Sequence, residues 1–115
     1  MNELIEKVKQ WGIDKGITGP QGRGTLLAQA KKMREECTET FDAAVDLHMQ
    51  YESSTDNPRS ETLLELKDGI GDLLVTGILL AELAGFATED CLQHAYDVIS
   101  KRNGKMVGGT FIKDN

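Results

Sequence analysis

Residues 63–81 read LLELKDGIGDLLVTGILLA, and the reading of this stretch decides the fold. Leu63, Leu66, Ile70, Leu73 or Leu74, Gly77 and Ala81 recur every three or four positions, the period of an amphipathic helix. Glu61, Glu65, Asp68 and Asp72 fall in a second, narrow stripe on another face. Past Asp72 that stripe turns apolar through Val75 and Leu79. From Leu73 onward the helix is therefore apolar nearly all round, as a central buried helix is. It is expected to start near residues 60–62 and to end at Gly85, the residue type that takes the left-handed cap. Asp72 stands where the polar face runs into the expected core. An unpaired carboxylate there is costly, so a metal or a strong donor is expected beside it. DGIGD also sets two glycines among acids. Each costs a helix roughly 1 kcal/mol relative to Ala, which points to close approach of a neighbouring backbone or a ligand.

The same period continues outward from this stretch. In residues 1–15, Met1, Leu4, Ile5, Val8, Trp11 and Gly12 make an amphipathic helix. In residues 25–51 the apolar stripe is Leu26, Ala30, Met33, Cys37, Phe41, Ala44 and His48, with Lys32, Glu36 and Glu39 on its flank. His48 continues the row and is expected as a half-buried packing residue. In residues 88–102, Thr88 is the expected N-cap, with Glu89 and Asp90 in the first turn. Cys91, Leu92, Ala95, Tyr96, Val98 and Ile99 are its apolar positions. KGITGPQGRG (residues 15–24) reads as a glycine-rich loop, either a connector or a flexible lid that brings Arg23 to an anion. ESSTDNPRS (residues 52–60) reads as a polar turn. In the tail, Gly108-Gly109 between KMV and TFI reads as a small hairpin or extended segment. There is no internal repeat. The expectation is one domain over residues 1–115, all-α and four-helix-bundle-like, with a short extended C-terminal tail.

Composition agrees with that class. Among 115 residues, 39% are hydrophobic but only 5% aromatic, so the core is expected to be aliphatic. The two prolines lie outside the helical patterns, which favours helices over a sandwich or barrel. Helical chains of this size often gain stability by oligomerising. A net charge of -6 argues against nucleic acid and anionic membrane as partners, since both need a basic face. Cys37 and Cys91 fall on apolar helical positions without CxxC spacing. They are expected as buried free thiols of a reducing compartment rather than as zinc ligands. MNELIEKVKQW has no signal-peptide core. The longest apolar run, Leu73 to Ala81, falls short of the ~20 residues a bilayer span needs. A cytoplasmic location is the expectation.

The chemistry lies in the acids. LAQAKKMREECTETF (residues 27–41) carries Glu35, Glu36 and Glu39, and the stretch quoted first carries Glu65, Asp68 and Asp72. Helix residues three or four apart lie about 5–6 Å apart on one face. Carboxylates converging from two packed helices repel one another unless a cation joins them. Hard divalent cations such as Mg²⁺ take oxygen ligands of this kind, commonly with a phosphate as the third party. EExxE alone is a weak signal, because glutamates favour helices and usually sit in water. Glu65 also fits a capping box with Thr62. Asp68 and Asp72 are harder to dismiss, since like charges at i,i+4 destabilise an isolated helix. Other chemistries lack their motifs. Neither histidine has Glu three residues before it, as a bundle di-iron site needs. There is no EF-hand loop, no P-loop and no arrangement for a Cys or Ser nucleophile.

Three segments taken together carry a resemblance. QxxKxxEExxE (Gln29, Lys32, Glu35, Glu36, Glu39), the GDLL-containing helix and the tail SKRNGKMVGGTFIKD resemble the MazG-like all-α nucleoside triphosphate pyrophosphohydrolases, in their short phage- and mobile-element form. The likeness runs from Trp11 to Lys113. It implies Mg²⁺-dependent hydrolysis of a (deoxy)nucleoside triphosphate to monophosphate and pyrophosphate, cleansing nucleotide pools, with Mn²⁺ able to replace Mg²⁺. It implies that Glu36, Glu39, Asp68 and Asp72 hold metal, and that Glu35 or Glu36 orients the attacking water. Lys32, Lys101, Arg102 and Lys105 are implied as phosphate contacts, and Tyr96 and Asn103 as sugar or base contacts. Trp11 is either a stacking surface for a base or a core residue. A homodimer or homotetramer with sites near subunit interfaces is implied as well. One position departs from the pattern. The family's second motif is ExxD, and Gly69 stands where its Glu belongs; Asp68 supplies an acid one residue earlier. Phosphoribosyl-ATP pyrophosphohydrolase would share the chemistry, but the tail argues against it. A non-catalytic module that dimerises or binds nucleotide is the alternative from another class.

Overall fold

The computed structural model describes residues 2–53 and 60–115. In chain order it contains α1 (Asn2–Asp14), α2 (Leu26–Ser53), α3 (Ser60–Ala84), α4 (Thr88–Ile99), β1 (Gly104–Val107) and β2 (Thr110–Lys113). The four helices fall where the periodicity puts them. Of the expected polar turn, residues 54–59 lie outside the described residues, and Glu52 and Ser53 belong to the last turn of α2.

α3 is the hub, and α1, α2 and α4 pack chiefly on it. α2 and α3 run antiparallel along most of their lengths. Gln50 near the end of α2 donates to Thr62 Oγ1 near the start of α3 (2.9 Å), and Gln29 near the start of α2 donates to the Thr76 carbonyl (3.2 Å). The face of α2 turned to α3 is Gln29, Met33, Glu36, Thr40, Ala43, Leu47 and Gln50, each buried or half-buried. These positions alternate by three and four, the spacing of an antiparallel helix pair. Opposite them lie Thr62, Gly69 and Thr76, all buried. The two helices approach closely at Gly69. A Cβ built there would lie 2.9 Å from Thr40 Oγ1 and 3.3 Å from its Cα. The close approach expected from DGIGD is thus made by Gly69, while Gly71 faces open space.

This contact face corrects the expected core. Of the α2 stripe, only Met33 is half-buried; Leu26, Ala30, Cys37, Phe41, Ala44 and His48 are exposed. His48 lies 3.9 Å from Glu52 across one turn of the exposed helix surface. In α3, Leu63, Ile70 and Leu74 are exposed, and Leu66, Leu73, Gly77 and Ala81 are half-buried. Both rows flank the true contact by roughly a quarter turn. Cys37 and Cys91 are free and exposed, not buried, because no element among the described residues covers their faces. Asp72 is exposed too, so burial does not force a partner on it.

α1 crosses α3 at Gly12, where an added Cβ would lie 2.5 Å from Leu79 Cδ2. Ile5 and Leu79 are buried in this contact region. Residues 15–24 knit back onto the end of α1. Ile17 and Thr18 donate to the Gly12 carbonyl, Arg23 to Gly16 and Gly24 to Ile17. The segment joins α1 to α2 as the connector reading expects, and Arg23 on it is exposed. Thr25 caps α2 through its side chain (Ala28 N to Thr25 Oγ1, 3.1 Å).

Gly85 closes α3 with φ +83°, and Phe86 and Gly85 donate to the carbonyls of Ala81 and Glu82. This is the Schellman pattern. The chain then turns by 104° into α4. Ala87 holds the N-cap position there, and the Thr88 hydroxyl is buried without a partner, which corrects the expected cap. The tail is a hairpin with Val107 opposite Thr110. Its two-residue turn is Gly108 (φ +57°) and Gly109 (φ +84°), the pair of positive φ values that a type I′ turn demands.

One chain hides little of itself. It exposes 8981 Å² with a radius of gyration of 17.2 Å, whereas a compact monomer of this length exposes ~6,200 Å² with a radius of ~13 Å. No large side chain among the described residues is fully buried. The uncovered apolar residues lie on α1 (Leu4, Trp11 and Ile13), on the outer flanks of α2 and α3, along α4 and on both faces of the hairpin. No single helix among the described residues is long and apolar enough to cross a membrane.

Candidate active site

The antiparallel pairing of α2 and α3 lays one acidic flank against the other. Between them is an open cleft of about 370 Å³, lined by Glu39, Asp42 and Asp46 from α2 and Glu65, Asp68 and Asp72 from α3, with Ala43 and Gly69 at its floor. Three of the four expected metal ligands (Glu39, Asp68 and Asp72) share this cleft. The fourth, Glu36, lies one turn before Glu39 in the contact face itself. It is only 7% exposed, and its Oε2 has no hydrogen-bond partner. A buried carboxylate oxygen with no donor is costly. Part of its charge is met by Lys32, whose Nζ is 3.4 Å from Glu36 and 3.6 Å from Glu35. The hydrogen bond to Glu36 and the charges of both glutamates raise the Lys32 pKa.

The crowding is visible in Glu39. The negative charge of Glu36 pushes the Glu39 carboxyl above the usual carboxylate range. A hydrogen bond between the two carboxyls adds to this, and Lys32 opposes it. A carboxyl held back from ionising by its neighbour's charge is a donor that a divalent cation would relieve. The chemistry of the residues therefore fits a hard cation. Their side chains stand apart around the open cleft: among the described residues no group of three converges closely enough to hold a metal ion as it stands.

Asp42 and Asp46 join the cleft without being part of the sequence motif. A signal for them is present, because Glu39, Asp42 and Asp46 continue one acidic stripe at i, i+3 and i+7, beyond the end of EExxE. Glu65 belongs to the cleft rather than to a capping box. Thr62 sits inside α3, buried, with its hydroxyl accepting from Gln50.

Glu35 is exposed on the Lys32 side and does not line the cleft. Lys32 is exposed and pairs with both glutamates. The other expected substrate contacts lie elsewhere in the chain. Tyr96 is on α4, Lys101, Arg102 and Asn103 follow it, and Lys105 is on β1, all exposed and none lining the cleft. With Asp72 twelve residues before the end of α3, and α4 twelve residues long after a 104° turn, helix rise alone puts these cations on the order of 20 Å from the cleft in the same chain.

No family model, curated protein or solved structure matches the chain.

Proposed function

We propose that the chain is a divalent-metal-dependent pyrophosphohydrolase of (deoxy)nucleoside triphosphates, releasing monophosphate and pyrophosphate. The observation that carries this reading is the α2–α3 cleft. Six carboxylates among the described residues line it, with the unpartnered Oε2 of buried Glu36 one turn behind. Glu36, Glu39, Asp68 and Asp72 would hold Mg²⁺, with Mn²⁺ as a substitute. When bound, the metal supplies charge neutralisation at the phosphates and a more acidic water. Lys32 fixes Glu35 and Glu36 through its two ion pairs, and one of these glutamates orients the attacking water as base.

The protein acts as a homodimer or homotetramer that completes the four-helix bundle. The excess exposure of roughly 2,800 Å² per chain over a compact monomer is comparable to one chain's share of a large obligate interface. A second copy also brings Tyr96, Lys101, Arg102, Asn103 and Lys105 to a cleft that has no cation among the described residues lining it.

The test is a panel of nucleoside triphosphates with Mg²⁺, scoring pyrophosphate against orthophosphate. Pyrophosphate with monophosphate is expected. Asp72→Asn and Asp68→Asn are each expected to lower kcat at least 100-fold, as for loss of a metal ligand. Wild-type turnover in Asp72→Asn would remove the cleft from the chemistry. One observation favours a second reading, a non-catalytic helical module: Gly69 replaces an acid, and among the described residues no three carboxylates converge on one point. A panel without any product, from protein that also fails to bind Mg²⁺ in calorimetry, would select it.

A further inference from the structure

Beside the face it turns to α3, α2 has two outward strips. On one run Glu39, Asp42 and Asp46, which line the cleft. The other carries Arg34 toward the start of the helix, Phe41 and Val45 in the middle and Glu52 at the end. Arg34 and Glu52 are about five whole turns apart and so stand in line, and Phe41 and Val45 lie within about 20° of that line. All four are exposed, Phe41 by 65% and Val45 by 40%. Among the described residues Arg34 has no carboxylate partner, and Glu52 meets His48 at 3.9 Å.

The strip is its own complement. The midpoint between Arg34 and Glu52 falls at Ala43, and so does the midpoint between Phe41 and Val45. A two-fold axis at that level therefore makes two kinds of contact in one register. It sets Arg34 against the partner subunit's Glu52, and Phe41 against the partner subunit's Val45, each contact occurring twice. This is the property of an isologous interface, in which one patch serves both copies. A parallel pairing would oppose arginine to arginine and glutamate to glutamate, and like charges face to face are unfavourable. The charges thus choose the direction and the apolar pair fits the same choice. Surface is available as well. One chain leaves roughly 2,800 Å² uncovered beyond a compact monomer, against the ~800 Å² per partner of a standard stable interface.

We propose that this strip of α2 is a two-fold seam on which a second copy of the chain docks antiparallel, with Phe41 and Val45 packed about the axis and an Arg34–Glu52 ion pair closing each end. This rests on the oligomer put forward above and not on the chemistry of the cleft. It adds the surface, the direction and the register. The seam lies on the side of α2 turned away from Glu39, Asp42 and Asp46, so docking leaves the cleft open to solvent.

The test follows self-association of the full-length protein by sedimentation equilibrium over a dilution series. Arg34→Glu and Glu52→Arg each put like charges at both ends of the seam, and each is expected to raise the dissociation constant at least about tenfold. The double variant restores opposite charges at both ends and is expected to return to within about threefold of wild type. Both positions are exposed, so helix content by circular dichroism is expected to hold throughout. Single variants that associate like wild type would overturn the seam and leave an oligomer built through another surface. Weakened single variants without recovery in the double would overturn the antiparallel register. A wild-type chain that stays monomeric at every concentration would remove the oligomer, and this proposal with it.

Discussion

Glu39 is the residue whose titration reports on the cleft. The charge of Glu36, and then hydrogen bonding to it, hold its carboxyl above the usual range in the folded protein. The folded state thus binds that proton more tightly than the unfolded state. Below the usual carboxylate range both states keep it and nothing is lost. As pH rises through the folded pKa, ionising Glu39 beside Glu36 costs stability. In metal-free protein, Glu39→Gln is therefore expected to raise Tm at about pH 7, with the gain fading as pH falls to about 4. Excess Mg²⁺ should reverse the order, raising Tm for wild type and much less for the variant, because a ligand stabilises only the state that binds it. Thermal melts with EDTA and with Mg²⁺ across that range check both signs. A variant that gains equally at every pH would remove the Glu36–Glu39 repulsion as the cause.

At the scale of the helix pair, the two glycines of DGIGD make opposite demands. A methyl at Gly69 meets Thr40 across the α2–α3 crossing, whereas a methyl at Gly71 meets nothing within 4 Å. Gly71→Ala is expected to raise the unfolding free energy by about 1 kcal/mol through helix propensity, and Gly69→Ala to lower it by about 1–3 kcal/mol through overpacking. Urea midpoints should move in opposite directions; equal gains at both sites would mean that the crossing is loose enough to admit a methyl. The sequence makes the glycines conspicuous without saying which one is squeezed. Features set by neighbouring residues are legible in the same way: four helices, the Gly85 cap and the Gly108-Gly109 turn. The pairing of faces is not. Apart from Met33 and Leu47, the contact face of α2 is polar or small (Gln29, Glu36, Thr40, Ala43 and Gln50), so hydrophobicity points instead to the flank with Leu26, Cys37 and Phe41. In the cleft, Glu39, Asp68 and Asp72 are legible because their spacing marks one face. Asp42 and Asp46 escape a motif-based reading because they lie past the end of the motif, although they stay on its face.

For the whole molecule, the 8981 Å² of exposed surface is the property that most constrains its behaviour. An isolated two-stranded hairpin with Met106, Val107, Phe111 and Ile112 all exposed is marginal in water. In the proposed oligomer a second copy would cover both. Light scattering is expected to give a dimer or tetramer, with a Tm that rises with protein concentration. Phe41→Glu, on the uncovered flank of α2, is expected to shift the assembly toward monomer while helix content by circular dichroism stays high. A wild-type monomer at micromolar concentration with a sharp melt would contradict this.

The two glutamine bonds at the ends of the α2–α3 pair have a consequence of their own. A face that repeats every seven residues permits one helix to slide along the other by a heptad, about 10 Å, and still meet similar side chains. Gln29 on the Thr76 carbonyl and Gln50 on the Thr62 hydroxyl forbid the slide, since it would break both bonds at once. It would also carry Glu39, Asp42 and Asp46 two turns past Asp68 and Asp72. Two amides at the far ends of the pair thus act as alignment keys, and they decide which acids face one another in the middle.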